Sequence, residues 1–469
     1  MTVEVICGDV IDVLATYADS TFTSTFSDPP YGYDFMCAKW DHGVPGVPYW
    51  AEVLRVSKPG AVLLAFGGSR THHRLYCAIE DAGYEIFDSG AWIHAQGFPK
   101  STSISKQIDK AAGKERKVVG RRPIAYPDSD CWGIPNHHSS GVTNNPVAYK
   151  IPTEKNGGNY GGARNITAPA TPDAVIWDGY GTSLKPAIEF ICCARKPRGG
   201  TYAQCAIEHG SGALNIAGTR IEVGDGEPNL RTTKSRRDKA NNGYDGGWEA
   251  VPRVFDGAHG RWPSNLILDP TSARLLGEQS GVREPGYRQN PSTNKTTWFG
   301  SRTGDHVEGE RGYADTGTAA RFFYCAKAAR GERDAGLEGL PLKDGDECYG
   351  DGLGNGPDRI ARRNPHPCLK PLDLCRYFAT LIRPPEAYLD DAVLCVPFCG
   401  TGSEIIGAIL AGWRNIVGIE LDADTCDIAR ARVAWWQRAH DETGLSDPKA
   451  ILKVMKKRKP APMFEVAAS

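Results

Sequence analysis

Residues 27–32, close to the N-terminus, have the sequence Ser27-Asp28-Pro29-Pro30-Tyr31-Gly32. The six residues before them are β-branched, aromatic or small, a composition typical of a strand. Two consecutive prolines then end the strand and stiffen the turn, because proline has a fixed φ and lacks an N–H. We therefore expect a carboxylate, a rigid pair of carbonyls and an aromatic ring at the carboxyl end of a strand, where open α/β sheets bind ligands.

This corner suits the chemistry of an amino group on a nucleobase. Such a group is a poor nucleophile, because its lone pair is delocalised into the ring. The Asp28 carboxylate and the Pro29 carbonyl could each accept one of its N–H bonds, and the Tyr31 ring could stack on the base. The alternative is an ordinary Asp-Pro-Pro turn with a packed tyrosine, which a four-residue match leaves open.

The composition indicates a globular protein. A chain of 469 residues can form two or three domains, or one large domain with insertions, and 40% hydrophobic residues support a sizeable core. No apolar run has the length of a membrane span, and the first residues do not start a signal peptide. The 14 cysteines show no C-x-x-C pair, which favours reduced thiols in a cytoplasmic protein and neither disulfides nor a metal site.

The net charge of the chain does not indicate a nucleic-acid partner, and only short clusters of basic residues bear on the question. A formal net charge of −1 excludes a general attraction to nucleic acid. Basic residues cluster instead in four short segments, at 114–122, 231–239, 359–363 and 453–459. Such clusters are usually solvated surface, although in an enzyme acting on nucleic acid they would contact phosphates.

Strand and helix patterns alternate in two separate parts of the chain, which predicts a parallel α/β fold. The first part covers residues 1–100, and the alternation resumes near residue 364, after a further short strand at 321–326. Between them, residues 101–184 are rich in Gly, Pro, Asn and Ser, and residues 223–320 are polar and Gly-rich. Because structureless loops of this length are uncommon inside a domain, both segments are predicted to be insertions.

A second motif follows a predicted strand in the C-terminal part, with the sequence Pro397-Phe398-Cys399-Gly400-Thr401-Gly402-Ser403. Gly400 and Gly402 would let the backbone approach a ligand, and Glu420 ends the next strand, where an acid accepts ribose hydroxyls. The chain lacks the triphosphate-binding G-x-x-x-x-G-K-[ST] motif, so a nucleoside carrying a cationic methyl donor suits the amino-group site better. The alternative is a tight turn followed by a surface glutamate.

Three motifs together resemble those of the amino-group DNA methyltransferases that use S-adenosylmethionine. They are Asp28-Pro29-Pro30-Tyr31, His366-Pro367-Cys368-Leu369-Lys370-Pro371 and Pro397-Phe398-Cys399-Gly400-Thr401-Gly402. The catalytic motif precedes the cofactor motif, which is the order of the β-class enzymes. Residues 63–68, 92–100, 184–197 and 260–265 are similar to a phage and bacterial branch of DNA modification methylases. The resemblance covers roughly residues 1–100, 184–220, 260–270 and 320–437.

The resemblance implies a doubly wound, mixed, seven-stranded Rossmann-like sheet with helices on both faces. It implies S-adenosylmethionine as cofactor, double-stranded DNA as partner and a base flipped out of the duplex, since pairing sequesters its amino group. The methyl group would pass by in-line attack on the sulfonium, and no metal is expected because the leaving group is neutral. Monomer and homodimer both stay open.

The resemblance also implies a set of site residues. The catalytic motif consists of Asp28, Pro29, Pro30 and Tyr31. Cofactor binding is implied for Asp9 near the adenine, for His366 and Lys370 at the methionine end, and for Pro397, Phe398, Gly400, Gly402 and Glu420. Trp92 or Phe98 would line the base pocket. The structural alternatives are a helix cap for Asp9, a core position for Trp92 and a turn for His366.

The domain organisation follows from the motifs. We expect the catalytic half of the domain at 1–100, an inserted segment at 101–184, returning strands at 185–222, a candidate target-recognition insertion at 223–320, the cofactor-binding half at 321–440 and a basic, flexible tail at 441–469. For residues 223–320, a disordered polar loop is the alternative.

One departure from the family pattern concerns Val396, which stands where the family usually has an aspartate before Pro-Phe. The carboxylate near the amino-acid part of the cofactor is therefore missing, unless Glu404 replaces it. A DNA-binding relict without activity is thus an alternative to an enzyme. Because Asp28 leads the catalytic motif, adenine N6 is favoured over cytosine N4, where serine is frequent, and RNA is a weaker third substrate.

Overall fold

The computed structural model describes residues 2–33, 41–95, 101–122, 164–222, 230–235, 249–254, 260–283, 316–327, 331–342, 363–364, 366 and 369–457. The chain divides into two compact units. The first consists of Met1–Gly90, Gln96–Leu214 and Lys327–Ser469, and the second of Ala91–Ala95 and Asn215–Ala326.

The strands of the described residues are β1 Thr2–Cys7, β2 Phe22–Ser27, β3 Ser57–Gly68, β4 Glu85–Ile93, β5 Val118–Arg122, β6 Arg164–Thr167, β7 Ile188–Arg195, β8 Leu230–Ser235, β9 Glu249–Val254, β10 Leu266–Leu268, β11 Tyr324–Cys325, β12 Val393–Pro397 and β13 Asn415–Glu420. The α-helices are α1 Val10–Leu14, α2 Val47–Val56, α3 His72–Asp81, α4 Ile104–Ala111, α5 Pro172–Ile176, α6 Tyr202–His209, α7 Pro270–Ser280, α8 Leu372–Leu381, α9 Ser403–Leu410, α10 Ala423–Thr443 and α11 Pro448–Lys457.

The main sheet of the first unit has the strand order β1-β13-β12-β2-β3-β7-β4. Strands β1, β13, β12, β2 and β3 pair in parallel, whereas β7 is antiparallel to β3. All six residues of the central strand β2 are buried, as expected for a parallel strand covered on both faces. The prediction of a doubly wound, mixed α/β sheet is therefore confirmed.

Helices cover both faces of this sheet. On one face, Leu63 and Ala65 of β3 belong to a buried cluster with Trp50 of α2. The alternate residue Phe66 points to the other face, where its ring lies 5.7 Å from that of Phe378 in α8. The alternation follows from the two-residue period of a strand. Each face thus has its own apolar core.

The order of the strands reverses between β2 and β12. The chain leaves β2 through α2 to β3 on one side, and leaves β12 through α9 to β13 on the other. The carboxyl ends of two such strands enclose a crevice, because their connections turn away from each other. The Asp28 corner follows β2 and the glycine turn follows β12, and the Ser27 hydroxyl donates to the Pro397 carbonyl over 3.0 Å. Both motifs therefore lie at this edge of the sheet.

The second unit contains its own parallel ladder. Residues 91–93 at the end of β4 pair with β10, and β10 pairs with β11. Helix α7 follows β10 and is capped by Asp269, whose carboxylate accepts the Ser272 N–H. The strands β8 and β9 form an antiparallel pair. The predicted target-recognition insertion, residues 223–320, thus contributes strands and a helix where it is described.

Two segments contain helices or strands that the sequence patterns did not predict. Within residues 101–184, the described parts contain α4, α5 and the antiparallel pair β5–β6, while residues 123–163 lie outside the described residues. The tail predicted from residue 441 is helical as far as residue 457 apart from a short break, because α10 continues to Thr443 and α11 follows. Ile451 is fully buried there, so an apolar contact fixes this part of the chain.

Candidate active site

The Asp28 side chain lies in a partly buried charged cluster at the end of β2. Its Oδ2 accepts a hydrogen bond from Lys370 Nζ over 2.6 Å, and its Oδ1 lies 3.1 Å from the Tyr31 hydroxyl. Lys370 stands two residues before α8 and is only 5% exposed. Its ammonium also lies 4.9 Å from the centre of the Phe66 ring. Lys370 and the Asp28–Tyr31 corner, which the sequence placed in two separate motifs, are therefore direct neighbours.

Glu189 is the fourth member of this cluster, and the sequence analysis missed it. Its Oε2 lies 2.9 Å from the Tyr31 hydroxyl and 3.3 Å from Lys370 Nζ. Because β7 is antiparallel to β3, Glu189 near the start of β7 stands opposite Gly68 at the end of β3. The sequence offered one signal for Glu189. It is an acidic residue near the start of a mostly apolar strand, three residues after the Leu184-Lys185-Pro186 stretch.

The pKa of Asp28 is raised overall, and burial and the Lys370 ammonium act on it in opposite directions. Burial raises the pKa of Asp28, and the Glu189 carboxylate raises it further. The Lys370 ammonium lowers the pKa, through its charge and its hydrogen bond. A nearby cation of this kind favours the ionised carboxylate. Lys370 is therefore the group that supports a carboxylate at this position.

The glycine turn after β12 has an unusual backbone. Gly400 and Gly402 have φ angles of +50° and +82°, and Phe398 has a φ of +58°. A positive φ is uncommon for a bulky residue and costs free energy, so its presence at a site is a functional indication. The Phe398 ring contacts Tyr49, with 5.8 Å between ring centres. The turn is thus held in a strained conformation that brings its backbone to the edge of the sheet.

Glu420 stabilises the glycine turn from the neighbouring strand. One carboxylate oxygen accepts the Gly400 N–H over 2.9 Å, and the other accepts the Asp422 N–H over 3.0 Å. Burial raises the pKa of Glu420, although these two N–H donors oppose the effect. The Glu420 carboxylate therefore lies directly beside the glycine turn. The sequence analysis expected Glu420 to accept the hydroxyl groups of a ribose.

Asp9 follows β1, the strand next to β13. It caps α1, since one carboxylate oxygen accepts the Ile11 N–H over 2.8 Å, and the other lies 3.5 Å from the Tyr49 hydroxyl. The Gly8 N–H donates to the Glu420 carbonyl over 2.9 Å. Asp9 thus caps α1, which the sequence analysis gave as the alternative to cofactor binding. It lies at the same edge of the sheet as Glu420.

The other predicted residues are placed as follows. A Cβ built on Gly400 would lie 3.9 Å from the His366 ring, so His366 is adjacent to the glycine turn. Trp92 belongs to the second unit, where its ring lies 5.0 Å from His94. Phe98 lies outside the described residues. The role of each in binding a cofactor or a base stays a prediction.

Val396, the departure from the family pattern, is fully buried in β12 opposite Gly418. Glu404, the second residue of α9, is also buried, at 3% exposure. Its carboxylate oxygen lies 3.9 Å from the Cys375 sulfur. Burial raises the pKa of Glu404 to about 7, and the charge of Asp28 contributes, whereas Lys370 and Arg432 oppose the shift. The charge of Asp28 therefore affects the titration of a second, buried carboxyl group.

The raised pKa of Glu404 predicts a specific dependence of stability on pH. In the folded state the Glu404 carboxyl group stays protonated up to about pH 7, whereas in the unfolded chain it loses its proton near pH 4.5. The free energy of unfolding should therefore fall as the pH rises through this interval, by up to about 3 kcal/mol. In Glu404→Gln this contribution disappears, so urea unfolding at pH 5 and pH 8 should differ less than in the wild type. Glu80→Gln, an exposed position on α3, serves as control; equal pH slopes in all three proteins would contradict the prediction.

Neither a metal site nor a membrane span is found in the part of the chain that the structure describes. No group of three or more His, Cys, Asp or Glu side chains among these residues could hold a metal ion. None of the described helices combines the length and apolarity needed to cross a bilayer.

Comparisons with known proteins gave structural matches only. No protein-family model and no curated protein match the chain. A solved structure of PvuII DNA methyltransferase, described as cytosine-N4-specific, is 10% identical over 92% of this chain and 86% of that chain, with a TM-score of 0.38. The M1.HpyAVI–SAM complex is 10% identical over 92% of this chain and 100% of that chain, with a TM-score of 0.32. Similarities at this level assign no function to the chain.

Proposed function

We propose that the chain is a site-specific DNA methyltransferase that transfers a methyl group from S-adenosylmethionine to the exocyclic amino group of a flipped-out base, with adenine N6 favoured. The observation that carries this proposal is the meeting of the two motifs at the switch point of the sheet. Ser27, directly before the Asp28 corner, is bonded to Pro397, directly before the glycine turn. An amino-group acceptor site and a nucleoside site are thus neighbours.

The residues around the glycine turn suit a nucleoside. Asp9 and Glu420 offer carboxylate oxygens, which accept hydroxyl and amino hydrogens. Among the described residues, no atom outside the turn lies closer than 3.9 Å to the position of a Cβ on Gly400, which leaves room for a ligand to approach this backbone. His366 lies beside the turn, as proposed for the methionine end. When bound, S-adenosylmethionine supplies a methyl carbon on a cationic sulfur, which keeps the bonding electrons when the methyl group leaves.

The catalytic cluster acts on the amino group of the base. Asp28 Oδ1 and the Pro29 carbonyl accept its two N–H bonds and direct the nitrogen lone pair out of the plane of the base. The Tyr31 ring stacks on the base, and the 2.6 Å contact with Lys370 favours the ionised form of Asp28. The nitrogen would form the new bond to the methyl carbon as the carbon–sulfur bond breaks, and its surplus proton would pass to the Asp28 carboxylate and from there to water. The contribution of such hydrogen bonds is largest in a water-excluded site, and the Asp28 side chain is only 15% exposed.

Mass spectrometry of nucleosides tests the proposal directly. Unmethylated DNA is incubated with the protein and S-adenosylmethionine, digested and compared with DNA treated with Asp28→Ala. We expect N6-methyladenine with the wild type only. N4-methylcytosine would establish the alternative acceptor, and DNA binding without any methylated nucleoside would establish a relict. Target recognition by residues 223–320 stays a proposal, which sequencing of the methylated positions would address.

Glu420 is expected to contribute to cofactor affinity. Loss of a hydrogen bond to a charged group costs about 1.5–3 kcal/mol, so Glu420→Ala should raise the dissociation constant of S-adenosylmethionine by about 10- to 100-fold. Isothermal titration calorimetry measures the constant. Asp427→Ala, an exposed acid on α10, is the control. An unchanged constant in Glu420→Ala would remove Glu420 from the ribose site.

A further inference from the structure

A single hydroxyl group lies between two carboxylates in the catalytic cluster. The Tyr31 oxygen is 3.1 Å from Asp28 Oδ1 and 2.9 Å from Glu189 Oε2. A phenol carries one proton, so it donates to one of these carboxylates at a time. The choice matters, because Asp28 Oδ1 is the oxygen proposed to accept a hydrogen bond from the base.

Two observations assign the proton of Tyr31 to Glu189. The contact with Glu189 is the shorter of the two. Asp28 already accepts a charge-assisted hydrogen bond from Lys370 over 2.6 Å, whereas Glu189 lies 3.3 Å from the same ammonium. Because the stronger interaction with the cation draws negative charge toward Asp28 Oδ2, Glu189 is left as the better acceptor for the phenol.

The position of Tyr31 itself is fixed, so that the choice between the two acceptors is made by a rotation of the O–H bond. The Thr71 hydroxyl donates to the Tyr31 carbonyl over 2.6 Å. A Cβ on Gly68 would lie only 2.9 Å from the Tyr31 ring, so the ring packs directly on the backbone of β3. Gly68 is in turn the partner of Glu189 across the β3–β7 ladder. The sheet therefore holds the tyrosine and the glutamate in register.

We propose that Glu189 is a positioning residue that holds the Tyr31 proton away from Asp28, so that Asp28 Oδ1 stays available as the acceptor for the amino group of the target base. This inference rests on the proposed function. Without Glu189, the hydroxyl turns to Asp28 Oδ1 and competes with the base for it. Glu189 then acts through Tyr31 and Asp28 without contact with the methyl group.

A double-mutant experiment tests this role. The rate of methyl transfer in a single turnover is measured with saturating cofactor and DNA for the wild type, Glu189→Ala, Tyr31→Phe and the double variant Glu189→Ala/Tyr31→Phe. We expect Glu189→Ala to lose about tenfold, the effect of one impaired hydrogen bond. Removing the competing hydroxyl should restore part of this loss, so the double variant should be faster than Glu189→Ala. A double variant that is equally slow or slower would overturn the inference.

The conservative variant Glu189→Gln is the matched control. Its amide oxygen still accepts the Tyr31 proton, so it should lose less activity than Glu189→Ala. A purely structural contribution of Glu189 would not produce recovery when a second group is deleted, because two packing defects at one site do not cancel. Equal losses in Glu189→Gln and Glu189→Ala would count against the role of the hydrogen bond.

A measurement without turnover separates this inference from the proposed function. The carboxyl carbons of Asp and Glu are labelled with ¹³C, and the resonances of Asp28 and Glu189 are assigned from their variants. If Tyr31 donates to Glu189, Tyr31→Phe should shift the Glu189 resonance more than that of Asp28. The opposite result would overturn the inference. A wild type that methylates no DNA would instead overturn the proposed function, and the resonances would still decide which carboxylate holds the proton.

Discussion

Asp28→Ala is expected to abolish methyl transfer, with a loss of at least about 10²- to 10³-fold, while the affinity for S-adenosylmethionine stays nearly unchanged. The reason is that Asp28 is the carboxylate positioned to accept an N–H of the base, whereas the cofactor contacts are proposed at the glycine turn. Lys370 keeps a carboxylate neighbour in this variant, because Glu189 lies 3.3 Å from its ammonium. The fold should therefore tolerate the change.

Single-turnover transfer of a labelled methyl group and calorimetric titration of the cofactor measure the two quantities separately. Asp28→Asn keeps the size of the side chain and removes its charge, so it should be nearly as inactive as Asp28→Ala. Asp12→Asn, an exposed position in α1, should behave as the wild type. Simultaneous loss of transfer and of cofactor binding would assign Asp28 a structural role.

Arg432→Met is expected to cause the largest loss of stability, about 3–5 kcal/mol, because each buried acceptor that loses its donor costs about 1–3 kcal/mol. Arg432 lies in α10 and is fully buried. Its guanidinium donates to the Thr401 carbonyl and hydroxyl in the glycine turn and to the Glu332 carbonyl. Burial lowers the pKa of Arg432 to about 10, so it stays charged at neutral pH. Without it, these buried acceptors lose their donor.

Urea unfolding at neutral pH measures this effect. Arg438→Met, an exposed position six residues further along the same helix, is the control and should change stability by no more than about 0.5 kcal/mol. Arg432→Lys keeps the charge but not the forked set of donors, so its loss should be intermediate. Because Thr401 belongs to the glycine turn, Arg432→Met should also weaken cofactor binding. Equal stabilities of Arg432→Met and Arg438→Met would contradict the assignment.

The fold was largely accessible from local patterns. The apolar strand that ends at Asp28 and the strand–turn–helix around Gly400 are both found as expected, because proline, glycine and the periodicity of apolar residues act within a few positions. The extent of the helical C-terminus was underestimated. Residues 448–457 are rich in lysine, and their exposed charges hid the apolar face that includes Ile451.

The charged residues around the site could not be predicted from local sequence patterns in the same way. Lys370 was expected near a cofactor, and its close contact with Asp28, 342 positions away, has no local signature. Glu189 belongs to no motif of the sequence analysis, and only the antiparallel pairing of β7 with β3 brings it to Tyr31. Arg432 belongs to α10, and its burial depends on the glycine turn that packs against it.

The sequence by itself determined the type of fold and the two corners that carry the proposed chemistry, because strand propensity, fixed proline φ angles and glycine turns are properties of short segments. The tertiary structure alone decided which charges surround Asp28, since the stability of a buried carboxylate depends on cations and hydrogen-bond donors brought together from distant parts of the chain. The proposed acceptor for the base is thus encoded in one hexapeptide, and its ionisation depends on Lys370, with Glu189 at its side.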